Sequence, residues 1–151
     1  MRILLEGAAT RQVAEAAAHD ESAQRAFETI LAEFERVEIQ EPSPARRDRF
    51  YELTEAYDQA IISYTRNKHL ARQIAELRPH SLRLRIIAHS RTSRLEVSLA
   101  EHLAMCRAVV ATDGAAATAA CIEHLMQTQR TILDAVINPD SSAIPIELVT
   151  A

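Results

Sequence analysis

Two histidines stand where a helix would be expected to pack leucines: His102 in SLAEHLAM, residues 98–105, and His124 in CIEHLMQT, residues 121–128. Each is the middle of the same tripeptide, Glu-His-Leu. At about 100° per residue, Leu95, Leu99, His102, Cys106 and Val109 fall on one narrow stripe. Ala117, Ala120, His124, Thr128, Thr131 and Ala135 fall on a second, beside Leu125 and Ile132. A third stripe carries Phe50, Thr54, Asp58, Ile61 and Thr65, flanked by Tyr57 and Ile62, with Asp58 at its centre. A buried carboxylate is costly unless it is paired or bound to metal. Two imidazoles and one carboxylate on three inward faces therefore read as one constellation. Its chemistry matches a divalent-metal site of Asp58, His102 and His124 with positions open to water or ligand. Core histidines satisfied by Asp58, Thr54 or a backbone carbonyl are the plainer alternative. Cys106 lies one turn after His102 and Cys121 three residues before His124, so a Cys2His2 zinc site is a third, although small buried cysteines are commonly core.

The elements that must position these residues are helices. The first reads from Arg2 to about Ala18, with Leu5, Ala9, Val13 and Ala16 on one stripe. Asp20 caps a second, with Phe27, Ile30, Leu31, Phe34 and Val37 spaced by three and four. Ser43 is the expected N-cap of a third and Pro44 its first residue, where a missing N–H costs nothing. That helix is expected to reach about Arg66. The fourth, about His69 to His89, contains Pro79 and is expected to bend there. The fifth follows SRTS and runs to about Ala111; Asp113 caps the sixth, which ends near Ile137 at NPDSS. Short connections make neighbours antiparallel, so the expectation is an all-α antiparallel bundle of about six helices over residues 1–137, with 138–151 as a C-terminal tail.

Composition narrows the function. At 151 residues one domain is expected, with 48% hydrophobic residues, 25% charged and only two glycines. Few glycines disfavour a sheet protein with tight turns. A net charge of −4 argues against a surface that grips phosphate backbones by itself. Two cysteines are too few for a disulfide framework, and no apolar run approaches a membrane span. The chain is expected to be soluble and cytoplasmic, with no membrane partner.

The residues around His124 are small, so side chains alone should leave a void at the three stripes. A void lined by Thr, His and Asp needs water or a polar ligand. On the fourth helix Arg78 and Arg85 border the stripe Leu77, Ser81, Leu84 and Ala88. The ordinary reading is that both are solvated; the functional one is a guanidinium clamp for a carboxylate. Thr54, Arg78, Ser81, Arg85 and Thr128 are thus the candidate ligand-binding residues. Leu82 and Ile86, one turn apart on the opposite face, suggest a partner surface. His19, His69, His80 and His89 fall at helix ends or off the stripe.

Four segments together carry a family resemblance: RILLE at residues 2–6, FYELTEAYDQAIISYTRNKHL at 50–70, SLAEH at 98–102 and CIEHL at 121–125. Their order and spacing from Arg2 to about Val136 resemble the FCD domain, the C-terminal effector-binding half of FadR-subfamily GntR transcriptional regulators. The resemblance implies a helical effector-sensing domain that dimerises. It also implies a divalent metal (zinc, nickel or manganese) held by an Asp and a His one turn apart on an early helix and by two later histidines. Carried over, His102 and His124 match; Thr54 stands where the family has the Asp, and Asp58 where it has the first His. The ligand set becomes Asp58, His102 and His124. The family's N-terminal winged helix-turn-helix has no counterpart here, so DNA contact is expected only through a module outside this chain.

The leading expectation is an effector-sensing and dimerising domain of a GntR/FadR-type regulator that binds a small organic acid, in part through metal. It is not expected to be an enzyme: no second carboxylate is placed as a general base and no nucleophile has a partner. A metal-dependent enzyme on the same Asp/His/His site, and a helical interaction module with no small ligand, are the alternatives.

Overall fold

Six helices make up the described part of the chain: α1 (Arg2–Ala17), α2 (Glu21–Glu38), α3 (Pro44–Tyr64), α4 (Lys68–Ala88), α5 (Thr92–Val110) and α6 (Gly114–Ile137). The computed structural model describes residues 1–88 and 92–138, with the side chains of 79–88, 92 and 93 left out. Helix starts follow local chemistry. Asp20 accepts from the Ala23 N–H at 3.1 Å and opens α2. Ser43 accepts from the Arg46 N–H at 3.1 Å, with Pro44 in the first turn of α3. Asn67 accepts from His69 and Leu70 N–H groups at the start of α4. Asp113 accepts from the Ala116 N–H at 2.9 Å and opens α6. Each side chain satisfies a donor that the first turn leaves unpaired.

The sharp turn from α5 to α6 is built on Thr112, whose φ is 56°. The Asp113 N–H reaches back to the Ala108 carbonyl at 3.0 Å and the Thr112 N–H to Val109 at 2.9 Å. This is the left-handed helix stop that glycine ordinarily occupies, here held by a β-branched residue. Thr112→Gly is therefore expected to stabilise the protein by about 0.5–1 kcal/mol, measured as a higher urea midpoint at unchanged slope.

The apolar stripes meet in one core. Phe27, Phe34 and Val37 of α2 pack with Phe50, Leu53, Tyr57 and Ile61 of α3 and with Leu99, Leu103 and Val109 of α5. α1 and α6 pack on each other along the far side, and α6 also packs on α5. Arg46 joins three helices: buried, it donates through Nε to the Val37 carbonyl at 2.8 Å and pairs with Glu96 of α5. This Glu96 contact, first of all its hydrogen bond, raises the guanidinium pKa further and lowers that of Glu96.

The six expected elements are the six observed ones, and α4 runs as a helix through Pro79. The expected tail, apart from Asn138, and the histidines His80 and His89 lie outside the described residues or side chains. His19 and His69 are exposed, as their positions at helix ends suggested. Among the described residues no helix is long and apolar enough to cross a membrane.

Candidate functional site at the histidine pair

Packing of α5 on α6 brings the two repeated histidines together. Their ring centroids lie 4.6 Å apart at an interplanar angle of 70°. His102 is only 3% exposed. Phe34, Phe50 and Tyr57 surround its ring at centroid distances of 5.5, 5.8 and 5.8 Å. Its Nδ1 donates to the Ser98 carbonyl at 2.7 Å. Because a carbonyl only accepts, the proton is fixed on Nδ1, and in the neutral ring the lone pair belongs to Nε2.

His124 is oriented by a different device. Its Nδ1 donates to Glu101 Oε2 at 2.6 Å. The same carboxylate takes two parallel bonds from Arg94, Nη1 at 3.0 Å and Nη2 at 2.9 Å, and Nη2 also reaches Thr128 Oγ1 at 3.0 Å. Burial pushes the Glu101 carboxyl up, but the hydrogen bonds and charges of His124 and Arg94 outweigh it, and the net direction is down. A buried guanidinium paired in this fork geometry is both strongly held and sharply oriented.

Beside the histidine pair opens a cavity of about 390 Å³, within the usual range for small-molecule sites. α1, α3, α4, α5 and α6 all contribute to its wall, which includes Asp58, Tyr57, Arg78, His102 and His124. Arg78 pairs with Glu55 at 2.5 Å and lies 3.7 Å from Asp58 Oδ2. On α1, Arg2 grips Glu6 with Nε at 2.6 Å and Nη2 at 3.3 Å. Tyr57 is 4% exposed, and its buried hydroxyl lies beside Thr10. Burial pushes that phenol well above its ordinary pKa.

The expected metal centre is not formed. Among the described residues, no group of three or more His, Cys, Asp or Glu is arranged to hold a metal ion. The donors are present, but other partners have claimed them. Asp58 faces Arg78, His124 is turned by Glu101, and His102 is seated in an aromatic cage with Nδ1 committed to backbone. The same finding removes the Cys2His2 alternative. Cys106 and Cys121 are both buried; burial raises both thiols, that of Cys121 to about 12, so neither is a ready thiolate ligand. Zinc, nickel or manganese at Asp58, His102 and His124 is thus corrected to an ion-paired site without metal. His102 takes the backbone-carbonyl alternative, and the partner of His124 is Glu101 rather than Asp58.

Of the expected ligand-binding residues, Arg78 lines the cavity. Thr54 is buried and gives its hydroxyl proton to the Tyr51 carbonyl at 2.8 Å. Thr128 is taken up by Arg94. Ser81 and Arg85 fall outside the described side chains. Sequence reasoning missed Arg94 and Glu101, and with them the α1 wall of Arg2, Glu6 and Thr10. One signal was available: residues seven apart on a helix lie about 20° from alignment, so Arg94 and Glu101 share a face of α5.

Comparison with known proteins agrees with this architecture. No curated protein and no solved structure matched the chain. The model of the FCD domain family matches residues 1–127, which is most of the chain. The matched span holds α1 to α5, the first part of α6 and both repeated histidines. The chain belongs to the FCD family, the effector-binding domain of GntR/FadR regulators.

Proposed function

We propose that this chain senses a small organic acid in the cavity beside His102 and His124 and passes that signal on as a dimer. The observation that carries the reading is the cavity itself: about 390 Å³, walled in part by Arg78, His102 and His124. Arg78 supplies the planar fork for a carboxylate, because Glu55, its shorter contact, is half-exposed and free to turn to water. The metal-dependent enzyme reading has lost the ligand set on which it rested. As a cytoplasmic regulator, the protein would reach DNA only through a winged helix-turn-helix outside these residues.

Thermal melting against citrate, lactate, gluconate and short dicarboxylates, with and without EDTA, tests the sensing reading. At 100 times its Kd an acid adds about 2.7 kcal/mol, equivalent to about 5–11 °C for a chain of this size. At least one acid should raise the midpoint, and chelation should leave the rise unchanged. If no acid moves it, the interaction-module reading replaces this one.

Dimerisation needs an apolar surface. Leu82 and Ile86 lie outside the described side chains, while Leu133, Val136 and Ile137 leave an exposed apolar end on α6. Light scattering at tens of micromolar is expected to give twice the 16.8 kDa chain mass. A monomer mass would end this half of the proposal.

A further inference from the structure

The cavity wall is sorted by polarity along the bundle axis, and the sorting narrows the acid to one class, a narrowing that rests on the effector reading above. Arg46 meets Glu96 near the starts of α3 and α5. Arg94 and Glu101 of α5 meet Thr128 and His124 of α6 in reverse order. Gly7 of α1 lies against Ile122 of α6, and Gly114 of α6 against Glu15. Arg78 of α4 reaches Glu55 of α3 across the short turn between them. α1, α3 and α5 therefore run down the bundle, and α4 and α6 run up it.

With those directions the lining residues fall on two levels, about 5 Å or one helical turn apart. On α3 the wall steps down from Asp58 to Ile61 and Ile62, and on α5 from His102 to Met105. α4 and α6 rise through the same interval, from Ile74 to Arg78 and from Cys121 to His124. α1 adds Arg2 and Glu6 above and Thr10 below. Gln59, exposed next to Asp58 in the chain, spends an amide proton on Glu55. α4 continues upward from Arg78 to Ala88, so the lower level does not depend on the residues that follow Arg78.

The lower level is the apolar one and the deeper one. Ile61, Ile74, Met105 and Cys121 are all buried, whereas Arg2, Glu55, Asp58 and Arg78 keep part of their side chains exposed. Its polar atoms are few: the Thr10 hydroxyl, which gives its proton to the Glu6 carbonyl at 2.8 Å, the Tyr57 hydroxyl beside it, and the Cys121 thiol. A ligand hydroxyl or second carboxylate placed there gives up its water hydrogen bonds, while a hydrocarbon gains by leaving water.

We infer that the effector is a monocarboxylate with a hydrocarbon body, its carboxylate at Arg78 on the upper level and its body against Ile61, Ile62, Ile74 and Met105 on the lower.

Titration calorimetry of the purified chain tests this with hexanoate, its hydroxylated counterpart gluconate, the dicarboxylate adipate, and hexanol as the body without a carboxylate. Hexanoate should bind about ten-fold or more tightly than each of the other three, and from butyrate to hexanoate affinity should rise about four-fold per methylene. Ile62→Asn, at a half-buried position, should bring the ratio of hexanoate to gluconate affinity under about three-fold. Ala75→Asp, at an exposed position of the same level, is a second variant in case the first folds poorly, and should move the ratio the same way. If gluconate or adipate binds as tightly as hexanoate, or the ratio survives in a folded variant, the inference is overturned while acid sensing stands. If hexanol binds as tightly as hexanoate, the carboxylate half is wrong and the inference is again overturned. If neither these compounds nor citrate and lactate bind, the inference and the sensing reading fall together.

Discussion

Glu101→Ala is expected to lower the melting temperature by about 6–20 °C. The substitution leaves Arg94, 7% exposed at its side chain, without the carboxylate that takes both of its Nη donors. Breaking a buried pair from one side costs about 3–5 kcal/mol, and each kcal/mol moves the midpoint of a chain this size by about 2–4 °C. His124 loses its acceptor at the same time. A stranded charge also implies a rescue. Arg94→Met combined with Glu101→Leu removes both charges and should recover most of the loss; double-mutant analysis of the melting curves checks this. The pair also fixes an acid dependence. Glu101 has a folded pKa below its ordinary value, so its stabilisation is complete above the unfolded value of about 4.3. It is lost as pH falls from there through the lowered folded value. The acid limb of the stability profile should flatten in Glu101→Gln.

Phe34→Ala is the second large effect, an expected loss of about 3–5 kcal/mol, read from denaturant unfolding. Phe34 is 0% exposed, and its ring leans against Phe50 at 6.2 Å and against His102 at 5.5 Å. Removing it opens a space beside the histidine as well as in the core. Phe34→Leu should cost less, since it refills much of the volume. A nearly neutral Phe34→Ala would mean that the cage around His102 is not a packed unit.

The helices were legible because their ends carry local chemistry. Asp20, Ser43 followed by Pro44, and Asp113 announce starts that depend on nothing beyond three or four residues. The α5 stripe was legible for a similar reason: Leu95, Leu99, His102, Cys106 and Val109 are all buried. The α3 and α6 stripes were read slightly off in rotation. Tyr57 rather than Asp58 is the deep residue on α3, and Cys121 and Leu125 rather than His124 are on α6. A periodic pattern sets a face to within a residue or so, and one residue is about 100°.

That rotation decided the metal question. A ligand set needs three donors on one point, whereas Asp58 turned toward Arg78 on α4 and His124 toward Glu101 on α5. Partners contributed by neighbouring helices have no local trace in the sequence. The α1 wall of the cavity was invisible on the same ground: Arg2, Glu6 and Thr10 look like an ordinary half-polar face until α6 and α3 are placed against it.

Binding of a small acid against the histidine pair is tested most directly by imidazole NMR of the purified chain. The titrant is the acid, from the melting panel, that raises the midpoint most. Saturation is predicted to shift the ring resonances of His124 and His102, which line the cavity, and to leave those of exposed His19 and His69 in place. Binding that moves His19, on the separate surface notch with Gln12 and Arg66, while the cavity histidines stay fixed, would contradict acid sensing at this site.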